Sequence, residues 1–103
     1  MRILVFFDLP VTTKPERSAA AKFRKFLLDD GYYMVQYSVY ARVCSGPDAV
    51  EKHRQRVKGS LPENGSIRML VVTEKQYESI DILLGNYSVK VEDEPGPEQL
   101  SFF

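Results

Sequence analysis

The 103-residue sequence is poor in the residues that form disulfides and metal clusters, with one cysteine and one histidine. A single cysteine cannot form an internal disulfide, and with one histidine it cannot complete a zinc site. The sequence also lacks the phosphate-binding patterns GxxxxGK[ST] and GxGxxG and any CxxC pair. Cys44 is predicted to be a small buried apolar group, and His53 a solvated residue on a helix face. These absences exclude most catalytic constellations and favour a reducing cytoplasm.

Long apolar runs are absent too, because no run approaches the roughly 20 residues needed to cross a bilayer. The N-terminus does not resemble a signal peptide, since Asp8 and Pro10 interrupt the apolar stretch. The hydrophobic fraction of 44% indicates a globular chain, and its length suits one small domain with one core. We therefore expect no membrane partner.

The formal net charge is zero, but charge is unevenly distributed along the chain. Residues 1–60 hold eleven Lys and Arg against six Asp and Glu, whereas residues 61–103 hold three against eight. A basic N-terminal half suits a polyanionic partner, provided that the acidic remainder faces elsewhere. Two ordinary solvated surfaces would explain the same distribution.

The first segment, ILVFFDLP, places a carboxylate directly after five apolar residues. The run from Ile3 to Phe7 is typical of a buried strand with both faces covered. Asp8 at its end is a hard oxygen ligand suited to Mg²⁺ or Mn²⁺, although one carboxylate alone makes a poor site. Alternatively, Asp8 caps the proline-containing loop that follows it. A symmetric dimer would bring two Asp8 carboxylates to one ion.

The remaining pattern alternates strands and helices. The predicted elements after the first strand are a helix over residues 13–30, strand material over 32–44 with a break near 36–37, a helix over 48–59, and strands over 66–73 and 79–84. This order is typical of an α+β, ferredoxin-like βαββαβ sandwich with two helices on one face of an antiparallel sheet. The domain is expected to span residues 1–91, with an acidic linker and short C-terminal strand or tail over 92–103.

Three sequence features together resemble one protein family. They are VFFDLP near the start, a helix carrying Arg17, and VQYSVYAR after a glycine, and the likeness continues through VTEKQYESIDILLG. The sequence thus resembles the small CRISPR-associated nuclease family, the smaller of the two near-universal spacer-acquisition proteins. That resemblance implies a homodimer whose C-terminal strands are exchanged or packed across the partner subunit. It also implies binding of duplex DNA between copies of a larger integrase subunit, and in some members metal-dependent cleavage of RNA or DNA.

The same resemblance implies roles for individual residues. Asp8 corresponds to the family's metal-binding, catalytic aspartate, with Mg²⁺ or Mn²⁺ as cofactor. Phe7, Ser38 and Tyr40 correspond to residues that line its cleft, and Arg17 to a basic position near it. Relatives commonly carry an arginine shortly before the QxSV pattern, where Met34 stands here. The missing charge argues more strongly against hydrolysis than against a role in assembling the integration complex. Catalysis should also be slow, because the site would hold one ion and no general base is evident.

Basic residues on the two long helices are candidates for contact with phosphates of double-stranded DNA, with RNA as the alternative partner. They are Arg17, Lys22, Arg24, Lys25, Arg54 and Arg56. One alternative is a non-catalytic DNA-binding scaffold in which Asp8 is structural. Another is an unrelated ferredoxin-like regulatory or RNA-binding domain, which is less favoured because the K/R-G-F/Y strand motif of RNA-reading sheets is absent.

The C-terminal third predicts contacts between chains. We expect residues 80–84 to add an edge strand to the partner subunit's sheet. The apolar tail at residues 100–103 would pair as a strand with its own dimer or with the integrase subunit.

Overall fold

The structure is a computed structural model that describes residues 1–85. Its elements are β1 (Arg2–Asp8), α1 (Lys14–Asp29), β2 (Tyr33–Gln36), β3 (Val39–Val43), α2 (Pro47–Lys58), β4 (Ser66–Val72) and α3 (Glu74–Glu78). The four strands form one sheet in the order β2-β3-β1-β4, and every neighbouring pair is antiparallel. With α1 and α2 as the two crossovers, this is the predicted ferredoxin-like arrangement. The predicted domain end at residue 91 and the segment 92–103 lie outside the described residues.

Helix α1 begins where the sequence signals predict. The Thr13 hydroxyl accepts a hydrogen bond from the backbone N–H of Glu16 at 3.3 Å, and the Glu16 carboxylate accepts one from the backbone N–H of Thr13 at 2.8 Å. This capping box satisfies two backbone donors that would otherwise lack partners. Along the helix, Ala20, Phe23 and Leu27 form the buried stripe that packs on the sheet.

The main core lies between the helices and one face of the sheet. Ile3 and Val5 of β1 pack there against residues of α1 and α2, including Phe23 and Val57. On the other face, Tyr77 of α3 covers Leu4 and Ala41. We name that second side, which carries neither α1 nor α2, the open face.

The prediction that Ile3–Phe7 is covered on both faces is wrong for its last part. Leu4 is buried, but Phe6, two residues further along the same face, is 36% exposed. The reason is that α3 covers only one end of β1, where Glu74 bonds to Arg2. The far end of the open face, which carries Phe6 and Asp8, has no covering element within residues 1–85.

The predicted strand at residues 79–84 is also wrong for this chain. Thr73 and Gln76 form a second capping box, which starts the short helix α3, and the chain after Ser79 is irregular as far as residue 85. The spacing of Thr73 and Gln76 is a helix-start signal that the apolar composition of the following segment obscured. A strand also needs a neighbouring edge to pair with, and the four-stranded sheet does not use this segment.

The predicted break inside residues 32–44 is confirmed. The register of β2 against β3 shifts between Met34 and Gln36, and the two strands are joined by a turn at Tyr37 and Ser38. Ser38 has a φ of 64°, which only a few non-glycine residues adopt.

His53 is not solvated as predicted, because its side chain is only 3% exposed. The three inward-facing residues of α2 are Val50, His53 and Val57. Nδ1 of His53 lies 2.8 Å from Oδ2 of Asp30, and Nη1 of Arg56 donates to Oδ1 of the same carboxylate at 2.7 Å. Cys44 is buried as predicted, and burial raises the pKa of its thiol.

A buried cation holds α3 on the open face. The guanidinium of Arg2 donates to both carboxylate oxygens of Glu74, at 2.8 Å from Nη2 and 2.9 Å from Nε, and it also donates to the hydroxyl of Tyr33. The guanidinium carbon of Arg2, Cζ, lies 4.2 Å from the ring centroid of Tyr77. Burial opposes this charge, but Glu74 and Tyr33 outweigh it and raise the pKa of Arg2.

Candidate functional site

Asp8 is the last residue of β1 and is exposed. It pairs in register with Ser66 of β4. Alternation along β1 places its side chain on the open face with Leu4 and Phe6. The Asp8 carboxylate forms no hydrogen bond or ion pair with any residue in the range 1–85. The alternative in which Asp8 caps its own loop therefore has no support among the described residues.

The position of Asp8 depends on a close approach by Gly65. Gly65 has a φ of +114°, and a Cβ built there would lie 2.8 Å from the carbonyl oxygen of Asp8 and 2.6 Å from Cδ2 of Leu9. Carbon atoms do not approach that closely without a shift of one partner. Any other residue at this position would force a shift of the Asp8–Leu9 segment or of the chain at position 65. The sequence indicated only a turn here, because a close approach between distant segments leaves no local pattern.

Phe7 fixes the strand end from the opposite face. Its ring centroid lies 5.4 Å from that of Phe23 in an edge-to-face arrangement and 5.5 Å from that of Tyr40. Its backbone N–H donates to the carbonyl oxygen of Ser38 at 3.0 Å, so the β2–β3 turn is bonded to β1 next to Asp8. The three residues predicted to line a cleft are thus close together, but Phe7 and Tyr40 point toward the helices. Their contact with a ligand stays a prediction.

Tyr40 links this region to α1. Its side chain is buried, which raises the pKa of its hydroxyl, and the positive charge of Arg24 on α1 opposes that rise. Arg24 itself is exposed.

Arg17 contacts the loop that follows Asp8. Its Nη1 donates to the carbonyl oxygens of Thr12 at 2.8 Å and Val11 at 3.3 Å. These bonds tie the first turns of α1 to the β1–α1 loop. The family resemblance predicted Arg17 as a basic residue near the site. The structure shows that its side chain also bonds the β1–α1 loop, which follows Asp8.

The other predicted phosphate-binding residues are mostly paired with carboxylates. Lys25 pairs with Asp29 at 2.9 Å, Arg54 with Glu51 at 2.5 Å, and Arg56 with Asp30 at 2.7 Å. Lys22 has no ion pair with a residue in the described part of the chain. The Lys25 and Arg54 pairs are exposed on both sides and contribute only about 0–1 kcal/mol, so phosphates can displace them at small cost. The Arg56 pair differs, because the side chain of its partner Asp30 is only 7% exposed.

The chemistry of Asp8 suits Mg²⁺ or Mn²⁺, but one chain supplies only part of a site. An exposed carboxylate is the hard oxygen ligand that these ions take. Among residues 1–85, no group of three or more His, Cys, Asp or Glu side chains is placed to hold a metal ion. Within one chain, Asp8 can therefore supply one ligand to an ion. The remaining ligands would come from a second copy of the chain, from water or from a substrate phosphate.

None of the helices in residues 1–85 has both the length and the apolar character needed to cross a membrane.

The strand order and the carboxylate at the end of β1 define a small ferredoxin-like protein with an exposed acidic strand end. Residues 1–80 match the family model described as CRISPR associated protein Cas2. The chain therefore belongs to the CRISPR-associated Cas2 family, and the resemblance seen in the sequence is confirmed.

Individual relatives agree with this assignment. A protein from Acidovorax ebreus named CRISPR-associated endoribonuclease Cas2 is 56% identical over 85 residues, which cover 82% of this chain and 83% of that protein. A protein of the same name from Flavobacterium psychrophilum is 45% identical over 101 residues, covering 98% of this chain and 86% of that protein. A crystal structure of Streptococcus pyogenes Cas2 at pH 6.5 superposes with a TM-score of 0.63 at 24% identity, covering 81% of this chain and 99% of that chain. The structural likeness supports the fold.

Proposed function

We propose that this chain is a metal-dependent endonuclease that works as a homodimer and as the smaller subunit of a CRISPR spacer-acquisition complex. The observation that carries the nuclease part is the exposed Asp8 carboxylate at a strand end held in place by Gly65 and Phe7. The curated relatives are named endoribonucleases, which supports phosphodiester cleavage as the activity. The substrate is RNA or DNA.

The homodimer would form through the open face. Six large apolar side chains lie exposed on this face or in the segment after α3: Phe6, Leu70, Ile80, Ile82, Leu83 and Leu84. Large exposed apolar groups in one region mark an interaction surface. Strand β4 is an edge of the four-stranded sheet, so its outer backbone groups can pair with another strand. Residues 80–84 of a second copy would supply that strand, and this exchange would account for the irregular apolar segment in one chain.

Dimerisation would also complete the site. The open faces of two chains would bring two Asp8 carboxylates together, and their mutual repulsion would be offset by a divalent ion between them. When bound, Mg²⁺ or Mn²⁺ would supply Lewis-acid polarisation of a phosphoryl oxygen. The protein's own residues contribute by holding the Asp8 carboxylate in position. Gly65 permits the close approach of β4, the Ser38 carbonyl holds the Phe7 amide, and Arg17 orders the loop after Asp8.

The assembly role would use other surfaces. Exposed basic residues of α1 and α2 would contact phosphates of duplex DNA, and the apolar tail at residues 100–103 would dock on the larger integrase subunit. A cytoplasmic location suits a chain with one buried thiol.

A second candidate function is a DNA-binding scaffold without catalysis. It is favoured by the absence, among residues 1–85, of any group of three or more His, Cys, Asp or Glu side chains placed to hold a metal ion.

The substitution Asp8→Asn separates the two candidates. It removes the charge with almost no change in volume, so the fold and the dimer should persist. Cleavage of single-stranded RNA and of duplex DNA in Mg²⁺ or Mn²⁺ should fall to background in the variant and should cease in the wild type with EDTA. The matched control is Asp48→Asn, which alters an exposed carboxylate on α2. Equal cleavage by wild type and Asp8→Asn would leave the scaffold function.

A further inference from the structure

Arg68 lies on the same face of the sheet as Asp8. In the β1–β4 pairing, Asp8 is opposite Ser66 and Phe6 is opposite Arg68. Directly opposed residues of an antiparallel pair point to the same side, and so do residues two apart on one strand. Arg68 is therefore a diagonal neighbour of Asp8 on the open face. Such neighbours are roughly 7–8 Å apart at the backbone, which a long side chain can span.

Both charged groups are exposed and neither is neutralised by the described part of the chain. The guanidinium of Arg68 forms no hydrogen bond or ion pair with any residue in the range 1–85, and no ion pair joins it to Asp8. Arg54 and Arg56 differ in this respect, because each is paired with a carboxylate. The open face thus presents an unpaired guanidinium beside an unpaired carboxylate.

We propose that Arg68 binds a phosphate group of the nucleic acid substrate beside Asp8. This inference rests on the proposed nuclease function, because it assigns the residue that holds substrate at that site. A carboxylate by itself repels a phosphodiester, and a neighbouring cation is needed to offset the repulsion. The guanidinium suits this role, since its planar fork donates two parallel hydrogen bonds to phosphate oxygens and it stays charged at every working pH.

The position of Met34 strengthens the assignment. Met34 pairs with Tyr40, whose ring packs in the core beneath the helices, so position 34 belongs to the helix side of β2. Strand β2 is separated from β1 by β3. A cation at position 34 would thus be remote from Asp8 and on the other face of the sheet within one chain. Arg68 is on the neighbouring strand and on the correct face, so Met34 does not deprive this chain of a cation at the site.

Binding without cleavage provides the first test. Fluorescence anisotropy in EDTA would compare wild type with Arg68→Ala, Arg68→Lys and Lys75→Ala, using a short labelled single-stranded RNA and a short labelled DNA duplex. Lys75 is an exposed cation on α3, at the Arg2 end of the sheet, and serves as the charge-matched control. We expect Arg68→Ala to weaken binding of the cleaved substrate about tenfold. Its log-affinity against log-salt slope should become shallower by about 0.7 for RNA or about 0.9 for the duplex.

Cleavage at saturating substrate provides the second test. Arg68→Ala should lower kcat about 100-fold, as loss of one charge-stabilising donor does. Arg68→Lys should recover part of the binding and less of the rate, because a lysine cannot form the two-pronged contact. Lys75→Ala should match wild type in both experiments.

The results distinguish this inference from the proposed function itself. If Asp8→Asn leaves cleavage unchanged while Arg68→Ala still weakens binding and flattens the salt slope, the nuclease site is wrong and the phosphate contact stands. If Asp8→Asn abolishes cleavage but Arg68→Ala binds and cleaves as wild type does, the Arg68 inference is overturned. It is overturned equally if Arg68→Ala loosens the dimer with unchanged affinity and salt slope, since Arg68 would then serve the interface.

Discussion

The carboxylate of Asp30 lies 2.8 Å from Nδ1 of His53, which joins the C-terminal end of α1 to the buried side of α2. Arg56 donates to the other carboxylate oxygen at 2.7 Å. The side chains of Asp30 and His53 are 7% and 4% exposed, so their contact is largely shielded from water, whereas the Arg56 side chain is 49% exposed.

This relationship predicts how stability depends on pH. Burial by itself raises the pKa of Asp30, but hydrogen bonds from His53 and Arg56 outweigh burial and lower the pKa below its ordinary value. A lowered folded-state pKa contributes stability above the unfolded pKa of about 4, and that contribution is lost as the pH falls through the folded pKa. Urea unfolding from pH 7 to pH 3 should show the loss below about pH 4.

The variant Asp30→Asn should remove this contribution at neutral pH. We expect a cost of about 1.5–3 kcal/mol, the usual range for hydrogen bonds to a charged group. Asp29→Asn is the control, because its bond to Lys25 is exposed and should contribute less than about 1 kcal/mol. Equal unfolding midpoints for the two variants would contradict a structural role for the Asp30 pair.

Gly65→Ala should disturb the site as well as the fold. The added methyl group would meet the backbone of Asp8 at a φ that favours glycine, so we expect a cost of about 1–3 kcal/mol. Cleavage that depends on Asp8 should fall in the folded variant, because the end of β1 must move. Gly46→Ala is the control, since a Cβ there meets no atom within 4 Å. Thermal unfolding and cleavage assays would both be needed, and unchanged cleavage in a folded Gly65→Ala protein would contradict the positioning role.

The dimer surface can be tested at its most exposed leucines. Leu83 and Leu84 are 93% and 97% exposed in one chain, so aspartate there should not affect the folding of a protomer. If a second copy covers them, the double change to aspartate should convert the dimer to monomers in light scattering. Val11→Asp, in the β1–α1 loop, introduces the same charge at another exposed apolar position and should leave the dimer intact. A double variant that stays dimeric at wild-type affinity would place the interface elsewhere.

Two basic residues of α1 should give different phenotypes. Lys22 has no ion pair among residues 1–85, so Lys22→Ala should weaken nucleic acid binding and reduce its salt dependence without changing kcat. Arg17→Ala should also lower kcat, because the loop after Asp8 would lose the two hydrogen bonds to Val11 and Thr12. Anisotropy and single-turnover cleavage would separate the effects, and identical phenotypes would argue against the loop-ordering role.

The signals that the sequence carried correctly were local ones. The capping box joins Thr13 to Glu16, three residues apart, and the buried residues of α1 recur every three or four residues. The apolar run of β1 ends at Asp8 in the sequence itself. Such signals depend on the hydrogen bonds and burial of one segment at a time. They were sufficient for the order of elements from β1 to β4, but not for α3. They made Asp8 a candidate ligand, and the family resemblance gave it the catalytic role.

The sequence by itself thus determined the ferredoxin-like order from β1 to β4 and the carboxylate at the end of β1, whereas tertiary structure decided how exposed that carboxylate is and which residues meet. His53 and Asp30 are 23 positions apart, and Arg2 and Glu74 are 72 apart, so no periodic pattern connects either pair. The register of β1 with β4 decided that Arg68 shares a face with Asp8, and the close approach of Gly65 decided where that strand ends. Contacts of this kind arise only when segments pack together, because a hydrogen bond or a steric limit acts over a few ångströms in space, whatever the distance along the chain.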